Sequence, residues 1–304
     1  MTLAELASWL RCPRCLLPLD ADGALSLACD AGHRYDGNKR GYLNALDARH
    51  GIVGDTAPIL AARAEFLDLG HYRRIAESLT ARLPQPSPDA PLQLLDSGCG
   101  TGYYLARALE AAPGSQGLAL DASASAVASA VRHTGASGLV ADVWRDLPVR
   151  DARVDVITCV FAPRNAAEFA RMLRPDGLLV VATPTPGHLA QLREAGRIIG
   201  MQSDKLAHLD EALGGHFDRS DRDRLEYTVS LDPHAQGLQC GEGLQNVLFG
   251  QQALLVRGGR IAPGSGVGEE CAHRALAHGH AIELALVEMV GKHVFCTHGG
   301  ALNE

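Results

Sequence analysis

Two groups of residues have types and spacings that could do chemistry. In the first, Cys12-Pro13-Arg14-Cys15 is followed after thirteen residues by Cys29 and then by His33, a C-x2-C-x13-C-x3-H series. A CxxC turn presents two thiolates from one tight backbone knuckle. A second pair on an opposing turn completes a tetrahedron suited to Zn²⁺. Four protein ligands close the coordination shell, so such a metal would fold its module rather than act as a Lewis acid. The chain has eight cysteines, a number that would suit a disulfide framework in a short secreted protein. Here they cluster early and mix with a histidine, which points to metal. Cys99 and Cys159 lie in apolar surroundings and are expected to be packed thiols. Cys271, His273, Cys296 and His298 lack a CxxC knuckle and make a much weaker metal candidate.

The second group is Leu94-Leu95-Asp96-Ser97-Gly98-Cys99-Gly100-Thr101-Gly102-Tyr103, an apolar run leading into three alternate glycines. Glycines let backbone approach a ligand where a Cβ would collide, and a carboxylate at the end of the run can accept hydrogen bonds from an ammonium group. The acidic residue precedes the first glycine by two positions. The motif therefore resembles the D/E-x-G-x-G-x-G signature of class I S-adenosylmethionine-dependent methyltransferases more than the G-x-G-x-x-G of dinucleotide binders. Asp121 and Asp142 close the next two apolar stretches, where carboxylates could take the ribose hydroxyls and the adenine amino group. Each alone reads as a solvated loop residue; their succession at strand ends is what carries weight. The segment Arg171-Met172-Leu173-Arg174-Pro175-Asp176-Gly177-Leu178 resembles the helix-turn-strand before the fifth strand of the same fold and reads as structural.

These motifs need an alternation of elements to hold them. Strands are expected at Leu92 to Leu95, Leu118 to Leu120, Leu139 to Ala141, Val154 to Val160 and Leu178 to Ala182. Helices are expected at Gly102 to Ala112, Ala124 to Val131 and Ala166 to Leu173. Strands separated by helices imply right-handed crossovers and a parallel sheet covered on both faces, a doubly wound α/β domain. Ahead of it, residues 1–50 read as a small turn-rich metal-binding module. Residues 51–90 read as a bridge of two short helices and a linker, with Pro84, Pro86 and Pro88 preventing helix continuation. The catalytic domain is assigned to 91–233. Residues 188–200 and 204–213 look helical, and Leu225 to Leu231 alternates as a strand. Residues 234–304 show scattered glycine and no assignable alternation.

A chain of 304 residues with 46% hydrophobic content can bury a sizeable core, and its formal net charge of −7 argues against a generally cationic nucleic-acid binder. Arg11, Arg14, Arg34, Lys39, Arg40 and Arg49 give the first module cations, but Asp20, Asp22, Asp30, Asp36 and Asp47 nearly balance them. Only folding could segregate the two signs. No basic segment followed by an apolar one opens the chain and no run approaches a membrane span, so a cytoplasmic location is expected.

Together these motifs resemble the bacterial 23S ribosomal RNA (guanine-N1)-methyltransferases, the family that includes macrolide-resistance enzymes. The likeness covers roughly residues 11–233. It extends from the Cys12, Cys15, Cys29 and His33 set, similar to that family's RNA-recognising zinc ribbon, through His33-Arg34-Tyr35-Asp36, Gly41-Tyr42-Leu43-Asn44, Gly54-Asp55-Thr56, Ala62-Arg63 and Phe66 to Tyr72. It continues through Asp96 to Tyr104, Val160-Phe161-Ala162-Pro163 and Pro184 to Leu189. The resemblance implies S-adenosylmethionine and Zn²⁺ as bound groups, large-subunit ribosomal RNA as partner and a possible homodimer. Tyr72 and His188 join the donor-site residues Asp96, Gly98, Gly100, Thr101, Gly102, Tyr103, Asp121 and Asp142 on that basis. Phe161 could stack on an extruded base and Arg164 could meet guanine O6 or a phosphate; the general base is not legible. Two other functions fit the residues: a small-molecule methyltransferase, whose turnover would ignore salt and RNA, and an inactive zinc-dependent adaptor. The likeness stops at Gln236-Gly237-Leu238-Gln239-Cys240-Gly241. Only Val294-Phe295 stands out as a late β-favouring pair, so the tail is expected to be a divergent or frame-shifted replacement that leaves the sheet incomplete or unconventionally completed.

Overall fold

The computed structural model describes residues 3–46, 54–185, 188, 211–230 and 281–293, with 219–221, 230 and 281–293 described as backbone only. A short helix α1 (Leu3–Ala7) precedes four small strands, β1 (Asp20–Ala21), β2 (Ser26–Ala28), β3 (Arg34–Asn38) and β4 (Tyr42–Asn44). Helices α2 (Ala57–Asp68) and α3 (Arg73–Thr80) follow. Then come β5 (Gln93–Ser97), α4 (Tyr103–Ala111), β6 (Gln116–Asp121), α5 (Ala124–Thr134), β7 (Ser137–Val140), β8 (Val154–Val160), α6 (Ala166–Met172) and β9 (Leu173–Pro184). The last two strands are β10 (Asp218–Ser230) and β11 (Ala281–His293).

The expected doubly wound sheet is present, in the order β7-β6-β5-β8-β9-β11-β10. Pairings from β7 to β9 are all parallel. The central strand β5 is buried at all five positions, and its successive residues serve opposite faces: Leu94 packs in one apolar cluster and Leu95 in the other. Helices α2 to α5 cover the first face. The second is covered by α6, α1 and the cysteine-bearing module. Side-chain oxygens of Ser123 and Asn165 cap α5 and α6 by accepting from the N–H groups of Ala126 and Glu168, which fixes where both helices begin after their strands. Cys99 and Cys159 are buried thiols, as their apolar surroundings imply.

The N-terminal module is joined to this sheet. β4 pairs in parallel with β7, and β3, β2 and β1 add antiparallel beyond it. Trp9, Leu10, Leu19 and Leu27 are fully buried in the same apolar cluster as the strands' second face. Two arginines donate to the module's backbone: Arg150 to the carbonyls of Leu10 and Leu19, both at 2.8 Å, and Arg153 to Ser8 at 3.0 Å. The Arg153 guanidinium also lies 5.2 Å from the centre of the Trp9 ring. On the other face, the Tyr227 hydroxyl of β10 donates to the His71 carbonyl at 2.8 Å, and Arg82 pairs with Asp223.

Of the two outcomes expected for the tail, a completed rather than an incomplete sheet is observed. Residues 281–293 form β11, which inserts antiparallel between β9 and β10 and completes the sheet, whereas Val294-Phe295 lies outside the described residues. Residues 188–200 and 204–210, except His188, and the Cys271, His273, Cys296 and His298 group also lie outside them.

Candidate donor cleft and metal centre

The glycine loop between β5 and α4 turns because three of its residues occupy left-handed backbone: φ is 78° at Gly98, 52° at Gly100 and 84° at Gly102. The N–H groups of Gly98 and Cys99 donate to the Leu120 carbonyl at 2.8 and 3.0 Å, tying the loop to the end of β6. Asp121 extends that tie. Its carboxylate accepts from Gly100 N–H at 3.1 Å and from Ser123 N–H at 2.9 Å. Gly102 matters for packing instead, since a Cβ there would come within 2.8 Å of the Ala130 Cα; glycine lets α4 press against α5.

Beneath the loop, Asp96 is 2% exposed; its Oδ1 accepts from the Thr158 hydroxyl at 2.7 Å. Its Oδ2 is buried and has no hydrogen-bond partner among the described residues. Burial raises the Asp96 carboxyl to about 7 despite the Thr158 bond, and nearby Asp121 adds to the rise. Asp121 is pushed up to about 6 by burial, against two backbone N–H donors. A cationic group at the open Asp96 Oδ2 would favour the charged form of that acid.

The open cleft beside this loop has about 620 Å³ of empty space, part of it continuous with solvent. Gly98, Gly100, Thr101, Tyr103, Asp121, Tyr72 and Phe161 line it, so the structure brings these expected residues together. One wall is aromatic. Tyr72 and Phe161 ring centres are 5.9 Å apart, Phe161 and His188 5.8 Å, and the Tyr72 hydroxyl is 3.4 Å from His188 Nε2. Burial, chiefly, holds the Tyr72 hydroxyl well above its ordinary range, so it is a neutral hydrogen-bonding group. Phe161 has φ 54°, a left-handed conformation that a bulky residue seldom adopts.

Asp96, Gly102, Asp142, Arg164 and His188 are not among the lining residues; His188 packs against the Tyr72 and Phe161 rings that are. The Asp142 carboxylate serves its own turn, accepting from Trp144 N–H at 3.0 Å and standing 3.8 Å from Arg145 Nε. Arg164 has a buried Nη1 with no hydrogen-bond partner among the described residues. The structure also adds lining residues that sequence reasoning left unassigned: Asp55, Arg63, Phe66 and Tyr104. Asp55 and Arg63 form an ion pair at 2.6 Å, with both side chains largely buried. Gly54 permits their placement, since a Cβ there would lie 2.5 Å from that of Ser123, and the Ser123 hydroxyl donates to the Asp55 carbonyl at 2.7 Å. The signal was the stretch Gly54 to Phe66 inside the resemblance, without a chemical role attached.

The cysteine module gathers its four residues. The Cys12, Cys15, Cys29 and His33 ligand atoms all lie within 4.8 Å of one another. Sγ of Cys15 and Cys29 are 3.5 Å apart, and His33 Nδ1 is 3.5 Å from Sγ of both Cys12 and Cys29. A tetrahedral zinc with its usual bond lengths needs edges of about 3.5 to 3.8 Å between such atoms. The donor set fits. Burial alone would raise the Cys12 thiol, but the Tyr35 hydroxyl at 3.1 Å and backbone N–H donors outweigh it and bring the group down to about 6.

A sheet of this strand order, with a glycine loop after its central strand and a buried acid beneath the loop, defines a class I S-adenosylmethionine-dependent methyltransferase. Residues 94–177 match the family model of the methyltransferase domain. A 23S rRNA (guanine(748)-N(1))-methyltransferase of Streptomyces fradiae is 43% identical over 236 residues, 77% of this chain and 84% of that protein. Relatives from Micromonospora griseorubida (40% identical, 75% of this chain and 83% of the relative) and Bacillus subtilis strain 168 (31%, with the same coverage) bear names of the same guanine-N1 class. The chain belongs to the 23S rRNA (guanine-N1)-methyltransferase family.

Proposed function

We propose that the protein transfers a methyl group from S-adenosylmethionine to N1 of a guanine in 23S ribosomal RNA, acting in the cytoplasm where that RNA resides. The observation that carries this reading is a cleft in which the glycine loop and Asp121 meet Tyr72 and Phe161, with His188 packed against both rings. The sulfonium donor, when bound, supplies the activated methyl group for in-line displacement, which leaves the protein to position the reactants and handle a proton.

Asp96, with its unsatisfied Oδ2 beneath the glycine loop, receives the donor's ammonium. Asp121 receives the ribose hydroxyls. Arg63 is the only cation among the described lining residues, and it takes the donor's carboxylate while remaining beside Asp55. Asp142 borders the adenine end from its turn. Gly98, Gly100, Thr101 and Tyr103 cradle the donor, and Gly102 keeps their helix in place. The strained turn at Phe161 holds its ring against Tyr72 and His188, where an extruded guanine can stack. Arg164 follows that turn, and its unsatisfied Nη1 suits a guanidinium whose acceptor, O6 or a phosphate, arrives with the substrate.

Cys12, Cys15, Cys29 and His33 hold a structural Zn²⁺ that folds the N-terminal module. The deciding experiment is incubation of unmodified 23S RNA with the protein and methyl-tritiated donor, followed by primer extension. N1-methylguanine blocks Watson-Crick pairing, so a discrete stop should accompany incorporation; donor binding without incorporation into RNA would refute the assignment.

A further inference from the structure

The chain has two tryptophans, and they have opposite environments. Trp9 is fully buried against the sheet, whereas Trp144 is 63% exposed. An indole so exposed presents a broad ring face on which a planar group can stack.

The backbone at Trp144 is fixed by hydrogen bonds. It follows β7, in a turn closed by its own N–H to Asp142 Oδ1 and by Arg145 N–H to the Asp142 carbonyl, each at 3.0 Å. A few residues later the same segment meets the cysteine module. Arg11 N–H donates to the Pro148 carbonyl at 3.0 Å, and Leu10 bridges to Val149. Trp144 therefore lies on the loop that leads from the end of β7 to the metal module's first knuckle. Arg145, beside it, is 74% exposed and only loosely paired with Asp142 at 3.8 Å; Arg14 on the knuckle is exposed as well.

We propose that Trp144 is a stacking platform for an unpaired base of the substrate RNA, with Arg145 meeting an adjacent phosphate, so that this loop grips RNA between the metal module and the donor cleft. The proposal rests on the RNA reading above. An indole face beside a neighbouring guanidinium matches single-stranded nucleic acid, where each base offers a π face and each linkage a negative charge. Arg145 is the exposed cation next to the indole, and the exposed Asp146 that follows confines the phosphate contact to that one side chain.

Fluorescence tests this directly, because Trp9 is shielded from quenchers and Trp144 is open to them. Titrating the zinc-loaded protein with a 23S RNA fragment should quench emission and reduce its accessibility to acrylamide; W144F should lose that quenching while keeping the emission of Trp9. W144A should weaken RNA binding roughly tenfold to a hundredfold, the range expected for one lost base stack. Affinity for S-adenosylhomocysteine should be unchanged. R145Q should lower the salt dependence of RNA binding by about one phosphate contact. RNA that is methylated normally by W144A, with no quenching in the parent protein, would overturn this proposal and leave the catalytic assignment standing. Absence of methylation by the unaltered protein would instead remove the assignment on which it rests. Concentration-dependent self-association abolished by W144A, without any effect on RNA binding, would show that the platform serves a second copy of the chain and also overturn it.

Discussion

The buried acid beneath the glycine loop makes donor binding a proton-linked event. The free Asp96 carboxyl sits at about 7, raised first by burial and further by Asp121. An ammonium partner requires the charged carboxylate, so at lower pH the binding energy must also remove a proton. With a group at about 7, affinity for S-adenosylhomocysteine should fall roughly eightfold between pH 7.5 and 6, and nearly a hundredfold, about 2.6 kcal/mol, by pH 5. Asp121, at about 6, steepens the curve at its lower end. Calorimetry in buffers of different ionisation enthalpy should show at least about nine-tenths of a proton released per ligand at pH 6, the share that comes from Asp96. D96N should bind more weakly at pH 7.5, by roughly tenfold to a hundredfold for the lost charge-assisted bond, and lose the slope above pH 6. Stability follows the same linkage. Both acids are raised above their unfolded values, so their contribution to the ligand-free fold is complete below the ordinary carboxylate range and is lost as pH rises through 6 to 7. The increase in Tm caused by ligand should therefore grow from pH 5 to 7.5. A wild-type Kd constant within twofold from pH 6 to 7.5, or the same slope in D96N, would refute the reasoning.

Three further outcomes follow from the geometry. G102A places a side chain at φ 84° and within 2.8 Å of the Ala130 Cα, and should cost about 2 to 4 kcal/mol in urea unfolding; a loss under about 0.5 kcal/mol would mean that α4 and α5 can separate freely. Removing metal by chelation, or C29S, should release one zinc per chain and shift Trp9 emission to the red in a W144F background. S-adenosylhomocysteine should still bind within about threefold, because none of the four ligands lines the cleft. R63M should weaken S-adenosylhomocysteine by roughly tenfold or more while leaving 5′-methylthioadenosine, which lacks the carboxylate, nearly unaffected; equal losses for both ligands would assign Arg63 to scaffolding alone.

The motifs with local causes were readable in the sequence. A CxxC knuckle and a glycine loop are built by neighbours in the chain, and both assembled as their spacing implied. The parallel sheet followed from strand and helix alternation, although β9 and β10 extend well beyond their apolar centres. Roles set by distant packing were less visible. Nothing local places Asp55 and Arg63 at the cleft; that depends on Gly54 settling against Ser123. Asp142 looked equivalent to Asp121, and each carboxylate does accept from the N–H two residues on, but only Asp121 lines the cleft. The β11 segment, AIELALVEMVGKH, is rich in alanine, leucine, glutamate and methionine, which favour helices. Its strand conformation is fixed by two flanking partners rather than by propensity, a preference no window of sequence displays.

That strand also sets an order of events during synthesis. Pro184 of β9 pairs with Val287 of β11, more than a hundred residues away in sequence. A chain emerging from its N-terminus can form the metal module, the glycine loop and the parallel strands through β9 while this pairing is still missing. Until β11 arrives, the edge of β9 offers unmatched backbone donors and acceptors to any neighbouring chain. The half of the protein that binds the donor can thus mature early, whereas closure of the sheet is the slow, long-range step on which escape from aggregation depends.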